Sequence, residues 1–144
     1  MIRKVEEKDI NKIVELEEEI FGETLGYEMI KSELNNPLIW FRLIEDNNEI
    51  IGYIGGCFYL EDGEILNFLI DNKYQHKGYG TKLFNHIMLE AKERGIKRVT
   101  LEVRENNIKG INFYLKNDFK QISIRKHYYK NGDNALVMMK ELIW

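Results

Sequence analysis

The run Gln75-His76-Lys77-Gly78-Tyr79-Gly80 has the residue types and spacing of an anion cradle. Glycines set one residue apart let a backbone approach a bulky anion with no side chain in between. Where such a run opens a helix, the first backbone N–H groups stay unpaired at the positive end of the helix dipole. Lys73, His76, Lys77 and Lys82 add positive charge around it, on a chain whose net charge is -3. A local basic spot on an acidic protein suits a small phosphate-bearing ligand better than a long polyanion.

A cradle of this kind works only if its flanks hold it. Ile65-Leu66-Asn67-Phe68-Leu69-Ile70, bounded by Gly63 and Asp71-Asn72, is an apolar run too short for a typical helix and reads as a strand. After the glycines, Leu83, Phe84, Ile87, Met88 and Ala91 recur at helical spacing. Strand, glycine turn and helix are the order a phosphate site needs. A dinucleotide fingerprint fits poorly, because Leu83 stands where its third glycine belongs and the turn comes after three or four strands. A P-loop is excluded, since no Gly-Lys-Ser/Thr follows.

The remaining elements frame this unit. Ile2 to Val5 is predicted as a first strand, and Lys8 to Phe21 as an amphipathic helix capped by Asp9, Glu6 or Glu7. Tyr27 to Asn35 is a second helix, stopped by Asn36-Pro37. Leu38 to Glu45 and Glu49 to Leu60 are strands joined at Asp46-Asn47-Asn48, and Glu61-Asp62-Gly63 turns the chain into the strand that ends at Ile70. Gly95 stops the long helix, Arg98 to Val103 is a strand and Ile108 to Lys116 a helix. Gln121 to Tyr129 and Ala135 to Leu142 are the last strands, turned by Asn131-Gly132-Asp133. The order β-α-α-β-β-β-α-β-α-β-β describes an α/β fold, a mixed sheet with helices on its faces.

At 144 residues the chain fits one domain spanning 1–144. No apolar run approaches membrane-spanning length and the N-terminus lacks a signal segment, so a cytoplasmic protein without membrane contact is expected. Cys57 is the only cysteine, which rules out an intramolecular disulfide and disfavours a cysteine-based metal site. The charge balance argues against a general nucleic-acid binder. The oligomeric state is left open.

A second constellation lies downstream. Leu101-Glu102-Val103-Arg104-Glu105-Asn106-Asn107 ends a strand, Ile111-Asn112-Phe113-Tyr114 lies on the next helix, and Lys116-Asn117-Asp118-Phe119 follows. Together with Gln75 to Gly80, these segments resemble the GNAT family of acetyl-CoA-dependent N-acetyltransferases, whose pyrophosphate loop reads Gln/Arg-x-x-Gly-x-Gly/Ala. The closer resemblance is to its RimI-type branch, enzymes that acetylate the N-terminal amine of a ribosomal protein. That branch carries Leu-Glu-Val-Arg-x-x-Asn, Leu-Tyr-x-x-x-Gly-Phe and Arg-x-x-Tyr-Tyr segments, the last matched here by Arg125-Lys126-His127-Tyr128-Tyr129. The resemblance extends from about Glu64 to Met139.

The resemblance implies the GNAT fold, with a mostly antiparallel mixed sheet and helices on both faces, acetyl-CoA as cosubstrate, and no metal. The backbone of Phe68, Leu69 and Ile70 would pair with the pantetheine arm. The turn from Gln75 through His76, Lys77, Gly78, Tyr79, Gly80 and Thr81 would hold the pyrophosphate, and Asn107 would contact the cofactor further along. Glu102 would be the general base and Tyr114 the general acid. Arg125, Tyr128 and Tyr129 would line the acceptor groove. The chemistry accounts for these types: an ammonium has no lone pair, so a carboxylate must take its proton, and the departing thiolate needs a proton that a tyrosine hydroxyl can supply.

Read from the residues alone, each has a plainer role. Glu102 also fits a solvated charge or an ion-pair partner, Tyr114 a core aromatic beside Phe113 and Phe119, and Asn107 a helix cap. Arg125, Tyr128 and Tyr129 also fit strand residues of high β-propensity. Cys57 reads as a small buried hydrophobe, His86 as a surface residue, and His127 as a surface residue or a second base. Three positions depart from the family pattern. Asp118 replaces a glycine and is asked to adopt a left-handed backbone, Asn112 replaces an alanine, and Gly22-Glu23-Thr24-Leu25-Gly26 lacks the Pro-Trp found beside the acceptor peptide. The acceptor is accordingly a protein or peptide N-terminus, such as that of a ribosomal protein, or a small amine such as a polyamine, amino sugar or amino acid. A CoA-binding module without catalysis is the reading from another class.

Overall fold

The computed structural model describes residues 1–142. Seven strands form one sheet in the order β1-β2-β3-β4-β5-β7-β6, with β1 at Ile2–Lys4, β2 at Ile39–Asp46, β3 at Glu49–Tyr59, β4 at Asp62–Ile70, β5 at Arg98–Arg104, β6 at Lys120–Arg125 and β7 at Ala135–Glu141. The helices are α1 (Ile10–Phe21), α2 (Tyr27–Glu33), α3 (Tyr79–Glu93) and α4 (Ile108–Lys116). Every neighbouring pair of strands is antiparallel except β4 and β5. Among the described residues no helix is long and apolar enough to cross a membrane.

Alternation along the central strands gives the sheet two apolar faces, and helices cover both. Leu83, Phe84, Ile87, Met88 and Ala91 of α3 pack with Trp40, Ile54, Ile65, Leu101 and Val103. On the opposite face Ile10, Ile13 and Leu16 of α1 and Ile30 of α2 pack with Phe41, Leu43, Tyr53 and Leu69. One buried charge is built into the first face. Arg42 reaches both carboxylate oxygens of Glu90 on α3, at 2.8 and 2.7 Å, a two-pronged contact that fixes the helix to β2.

The turns explain where sequence and structure part. Asp46 pairs with Glu49, and Asn47 and Asn48 both take positive φ, 51° and 63°, the type I′ geometry that matches strand twist. The next turn is Leu60-Glu61, not Glu61-Asp62-Gly63. Asp62 and Gly63 join β4, where the missing Cβ of Gly63 leaves room for the Phe58 ring 3.1 Å from that position. Asp9 takes the N-cap position of α1, but its side chain makes no cap hydrogen bond to that helix. Its carboxylate accepts from the Glu6 amide at 2.8 Å and binds Arg3 at 2.8 and 2.9 Å, closing a short 3₁₀ turn, Glu7–Asp9, ahead of the helix.

The strand predicted for Gln121 to Tyr129 stops at Arg125. His127 takes φ 54°, its amide donates to the Asn134 side chain at 2.9 Å, and the Tyr129 amide donates to the Asp133 carbonyl at 3.2 Å. Residues 126–134 thus satisfy their backbone inside a compact loop instead of a ladder. Tyr128 and Tyr129 belong to that loop, so their β-propensity misleads. Asp118, by contrast, does adopt the left-handed backbone asked of it, with φ 68°.

Candidate active site

One irregularity creates the site. The parallel ladder between β4 and β5 runs only from Asp62–Arg98 to Ile65–Leu101. On its other edge β4 pairs Ile65 with Gly56 and Asn67 with Gly55, so Leu66 is an extra residue, a β-bulge. The bulge shifts the parity of the strand. Ile65 faces α3, whereas Leu69, four residues on, faces α1, and Phe68 and Ile70 turn to the α3 side. It also bends β4 away where the ladder with β5 ends. A gap opens between the carboxyl ends of two parallel strands, where open α/β sheets bind their ligands.

The anion cradle stands at one edge of this gap. After β4 the chain makes a 3₁₀ turn, Asn72–Tyr74, and enters α3 through Gly78, whose φ of 87° no ordinary L-residue adopts without strain. Lys82 N–H to the Gly78 carbonyl, at 3.1 Å, is the first hydrogen bond of the helix, so the amides of its opening turn have no helical partner. Gly80 rests on the end of β4 and on α4: a Cβ there would lie 3.6 Å from Ile70, 3.7 Å from Phe68 and 3.9 Å from Phe113. The Gln75 side chain donates to the Ile70 carbonyl and to Asn72, both at 3.0 Å, so it braces the turn against the strand. Bare backbone donors, a bulged strand edge beside them and nearby lysines fit a diphosphate joined to an extended arm.

Tyr114 stands on α4, on the α3 side of the sheet, whereas Glu102 belongs to β5 itself. Phe113 packs edge-on to Phe68 of β4 at 5.5 Å and to Phe84 of α3 at 5.7 Å, which seats α4 over the gap, and Tyr114 stacks against Phe119 at 5.5 Å. Burial pushes the Tyr114 hydroxyl well above the ordinary tyrosine range, so it keeps its proton. Asn107 caps α4, its side chain accepting from the Gly110 amide at 3.0 Å. Glu102 is the first residue of β5 beyond the last rung shared with β4. Its side chain points away from the core face lined by Leu101 and Val103.

A side-chain network surrounds Glu102. Arg125 Nε lies 2.7 Å from its carboxylate. The Tyr128 hydroxyl is raised above its usual range, first by a hydrogen bond to Glu102 and then by that group's charge. Arg125, Tyr128 and Tyr129 stand near one another here, with Tyr128 and Tyr129 packed edge to face at 5.2 Å. Arg104, two residues along β5 and on the same face, was not singled out. Its guanidinium carbon sits 3.8 Å from the Tyr129 ring centre, and its nitrogens reach Asp133 at 3.2 Å, Asn131 at 3.3 Å and Glu23 at 3.4 Å. Period-two alternation from Glu102 could have placed it on this face, but nothing in the sequence ties it to Glu23. Glu17 was also missed. This buried carboxylate accepts from the Tyr53 hydroxyl and, at 2.5 Å, from Thr24, whose oxygen in turn accepts from the Gly26 amide at 3.1 Å. His127 instead turns its Nδ1 toward the Gly132 carbonyl at 3.1 Å, while His86 pairs with Glu90 on α3.

These features agree with the relatives. The acetyltransferase (GNAT) family profile matches residues 8–119. The ribosomal protein bS18-alanine N-acetyltransferase of Haemophilus influenzae is 30% identical over 142 residues, covering 96% of both chains. The crystal structure of the ribosomal-protein-S18-alanine N-acetyltransferase from Escherichia coli superposes with a TM-score of 0.90 at 22% identity, over 100% of this chain and 94% of that one. An aminoglycoside 6′-N-acetyltransferase complexed with coenzyme A superposes with a TM-score of 0.85 at 16% identity, over 100% and 98% of the two chains. With its splayed β4–β5 gap, glycine-led α3 and family match, this chain belongs to the acetyltransferase (GNAT) family and is an N-acetyltransferase that uses acetyl-CoA.

Proposed function

We propose that this protein acetylates the N-terminal α-amine of a protein or peptide, with Glu102 as general base and Tyr114 as general acid. The observation that carries the assignment of the base is the position of Glu102 at the first rung past the end of the β4–β5 ladder. A carboxylate there borders the gap directly, and Arg125 pairs with it at 2.7 Å. The RimI-type relatives supply the acceptor class, and a ribosomal protein N-terminus is the leading candidate.

The backbone of Phe68, Leu69 and Ile70 would orient the acetyl-bearing arm, and the amides from His76 through Thr81 would hold the diphosphate. Asn107, which caps α4, would contact the cofactor further along. Glu102 takes a proton from the acceptor ammonium, directly or through one water. The neutral amine then forms the C–N bond to the thioester carbonyl carbon, giving a tetrahedral intermediate. As the C–S bond breaks, the sulfur takes a proton from Tyr114, which recovers one from the amine nitrogen. The products are an N-acetyl amide and free thiol, and the ammonium proton is left to solvent. No covalent enzyme intermediate is needed. Arg125, Tyr128 and Tyr129 line the acceptor side, where the Arg125 side chain, 57% exposed, is free to yield Glu102 to the arriving ammonium.

The test is incubation of the purified protein with acetyl-CoA and a panel of N-terminal peptides and small amines, with products read by mass. One acetyl group on a peptide α-amine is expected. Acetylation confined to small amines such as polyamines or amino sugars would keep the chemistry and discard the peptide acceptor.

A further inference from the structure

Two loops meet Arg104 on the face of β5 that also carries Glu102, residues 22–26 between α1 and α2 and residues 126–134 between β6 and β7. They are far apart in sequence, and Arg104 joins them. One of its nitrogens faces Glu23 at 3.4 Å in the first loop, and the other faces Asp133 at 3.2 Å and Asn131 at 3.3 Å in the second. Its flat guanidinium also covers the ring of Tyr129 at 3.8 Å. Without Arg104 the Glu23 and Asp133 carboxylates would face each other as like charges. The first loop is pinned from the inside as well, through Thr24 to buried Glu17 and on to Tyr53. With its inner end fixed, the outer contact at Arg104 decides where its rim stands.

We propose that Arg104 is a positioning residue that clasps these two loops into one rim, and that the rim selects chain-like acceptors over small amines. The proposal rests on the peptide acetyltransferase reading. A peptide entering at Glu102 must cross the rim with its second and third residues, so a preordered rim lowers the ordering cost of binding. A single-residue amine ends before reaching it. Arg104 touches neither the reacting atoms nor the cofactor half, so its effect falls on acceptor KM.

The experiment compares wild type, Arg104→Ala and Arg104→Lys by steady-state kinetics with an accepted peptide and with alanine amide, alongside hydrogen exchange of both loops. In Arg104→Ala we expect peptide KM to rise about tenfold, as loss of a preorganised polar contact implies. Its kcat, its acetyl-CoA KM and its kinetics with alanine amide stay within about twofold of wild type, a change below one ion pair's worth. Residues 22–26 and 126–134 exchange faster. Arg104→Lys restores the charge contacts without the flat stacking on Tyr129 and recovers part of the peptide KM. In an Arg104→Ala background, Glu23→Gln and Asp133→Asn cause no further rise in peptide KM. Unchanged peptide KM, unchanged loop exchange, or an equal loss for alanine amide would overturn the clasp. If wild type acetylates no peptide, the acceptor reading fails by itself, and the exchange data still decide whether Arg104 holds the two loops together.

Discussion

The two sides of the β4–β5 gap are built from different materials. The proposed cofactor side is backbone: a bulged strand, a left-handed glycine at Gly78, and the unpaired amides at the start of α3. The proposed acceptor side is side chain: Glu102 with Arg125 and Tyr128, and Arg104 spanning two loops, one of which it reaches through Glu23, 81 residues away in sequence. Backbone donors need only glycine at the right places and tolerate change elsewhere. A side-chain network specifies shape and charge but depends on each member. One ligand, acetyl-CoA, is common to the family, and the acceptor is where members differ. On the proposed reading, the constant ligand is met by peptide groups and the variable one by side chains.

Substitutions on each side should therefore separate in the kinetics, and the largest effect should fall at Glu102. Glu102→Gln is expected to lower kcat/KM by about 10²-fold or more, most strongly at pH values where the acceptor amine is protonated, with acetyl-CoA affinity unchanged. Isothermal titration of acetyl-CoA beside a pH–rate profile measures both, and a loss of cofactor affinity would break the division.

Tyr114→Phe comes next, with kcat lowered about tenfold to a hundredfold and cofactor binding retained. Because burial raises the Tyr114 pKa, the hydroxyl stays protonated through neutral and mildly alkaline pH. The wild-type rate should show no falling limb from this group below the ordinary tyrosine value of about pH 10. A rate unaffected by Tyr114→Phe would remove the general acid from this position.

Gly78→Ala tests the backbone side. A Cβ at φ 87° meets no neighbour, so the cost is conformational alone, about 1 kcal/mol. Acetyl-CoA KM should rise about fivefold while peptide KM stays level. A rise in peptide KM instead would mean that the two sides are coupled.

The smallest effect on turnover should come from Asp9→Asn, which lies on neither side. Burial pushes the Asp9 carboxyl up, but hydrogen bonds and charge from Arg3 and the Glu6 amide outweigh it and hold the pKa below the ordinary aspartate value. A group depressed in the folded state stabilises the fold above its unfolded pKa and loses that stabilisation as pH falls through the folded one. Thermal unfolding should show the variant about 1 kcal/mol less stable at neutral pH. The gap to wild type should close in acid, below the aspartate range, with kinetic constants at neutral pH unaltered.

Legibility followed the same division. The strand ending at Ile70, the glycine turn and the helix behind it were readable because each is a local pattern over a few residues. Helix α4 appears over Ile108–Lys116, the predicted bounds, since Asn107 marks its cap and Asn117, ahead of the left-handed Asp118, its end. The end of β6 was not readable: Tyr128 and Tyr129 have strand propensity, but Asn134, seven residues beyond His127, captures its amide. Nor was the bulge at Leu66, because an apolar run conceals its own parity.

The sequence by itself determined the order of elements, the phosphate-type turn and the family, since these depend on residue type at short spacing. Only the tertiary structure decided where β4 leaves β5, that Glu102 stands at the first rung beyond, and that Arg104 meets Glu23 and Asp133. Those facts arise from packing between segments distant along the chain, where the partner of a side chain is set by how helices and loops settle on the sheet and not by its neighbours in sequence.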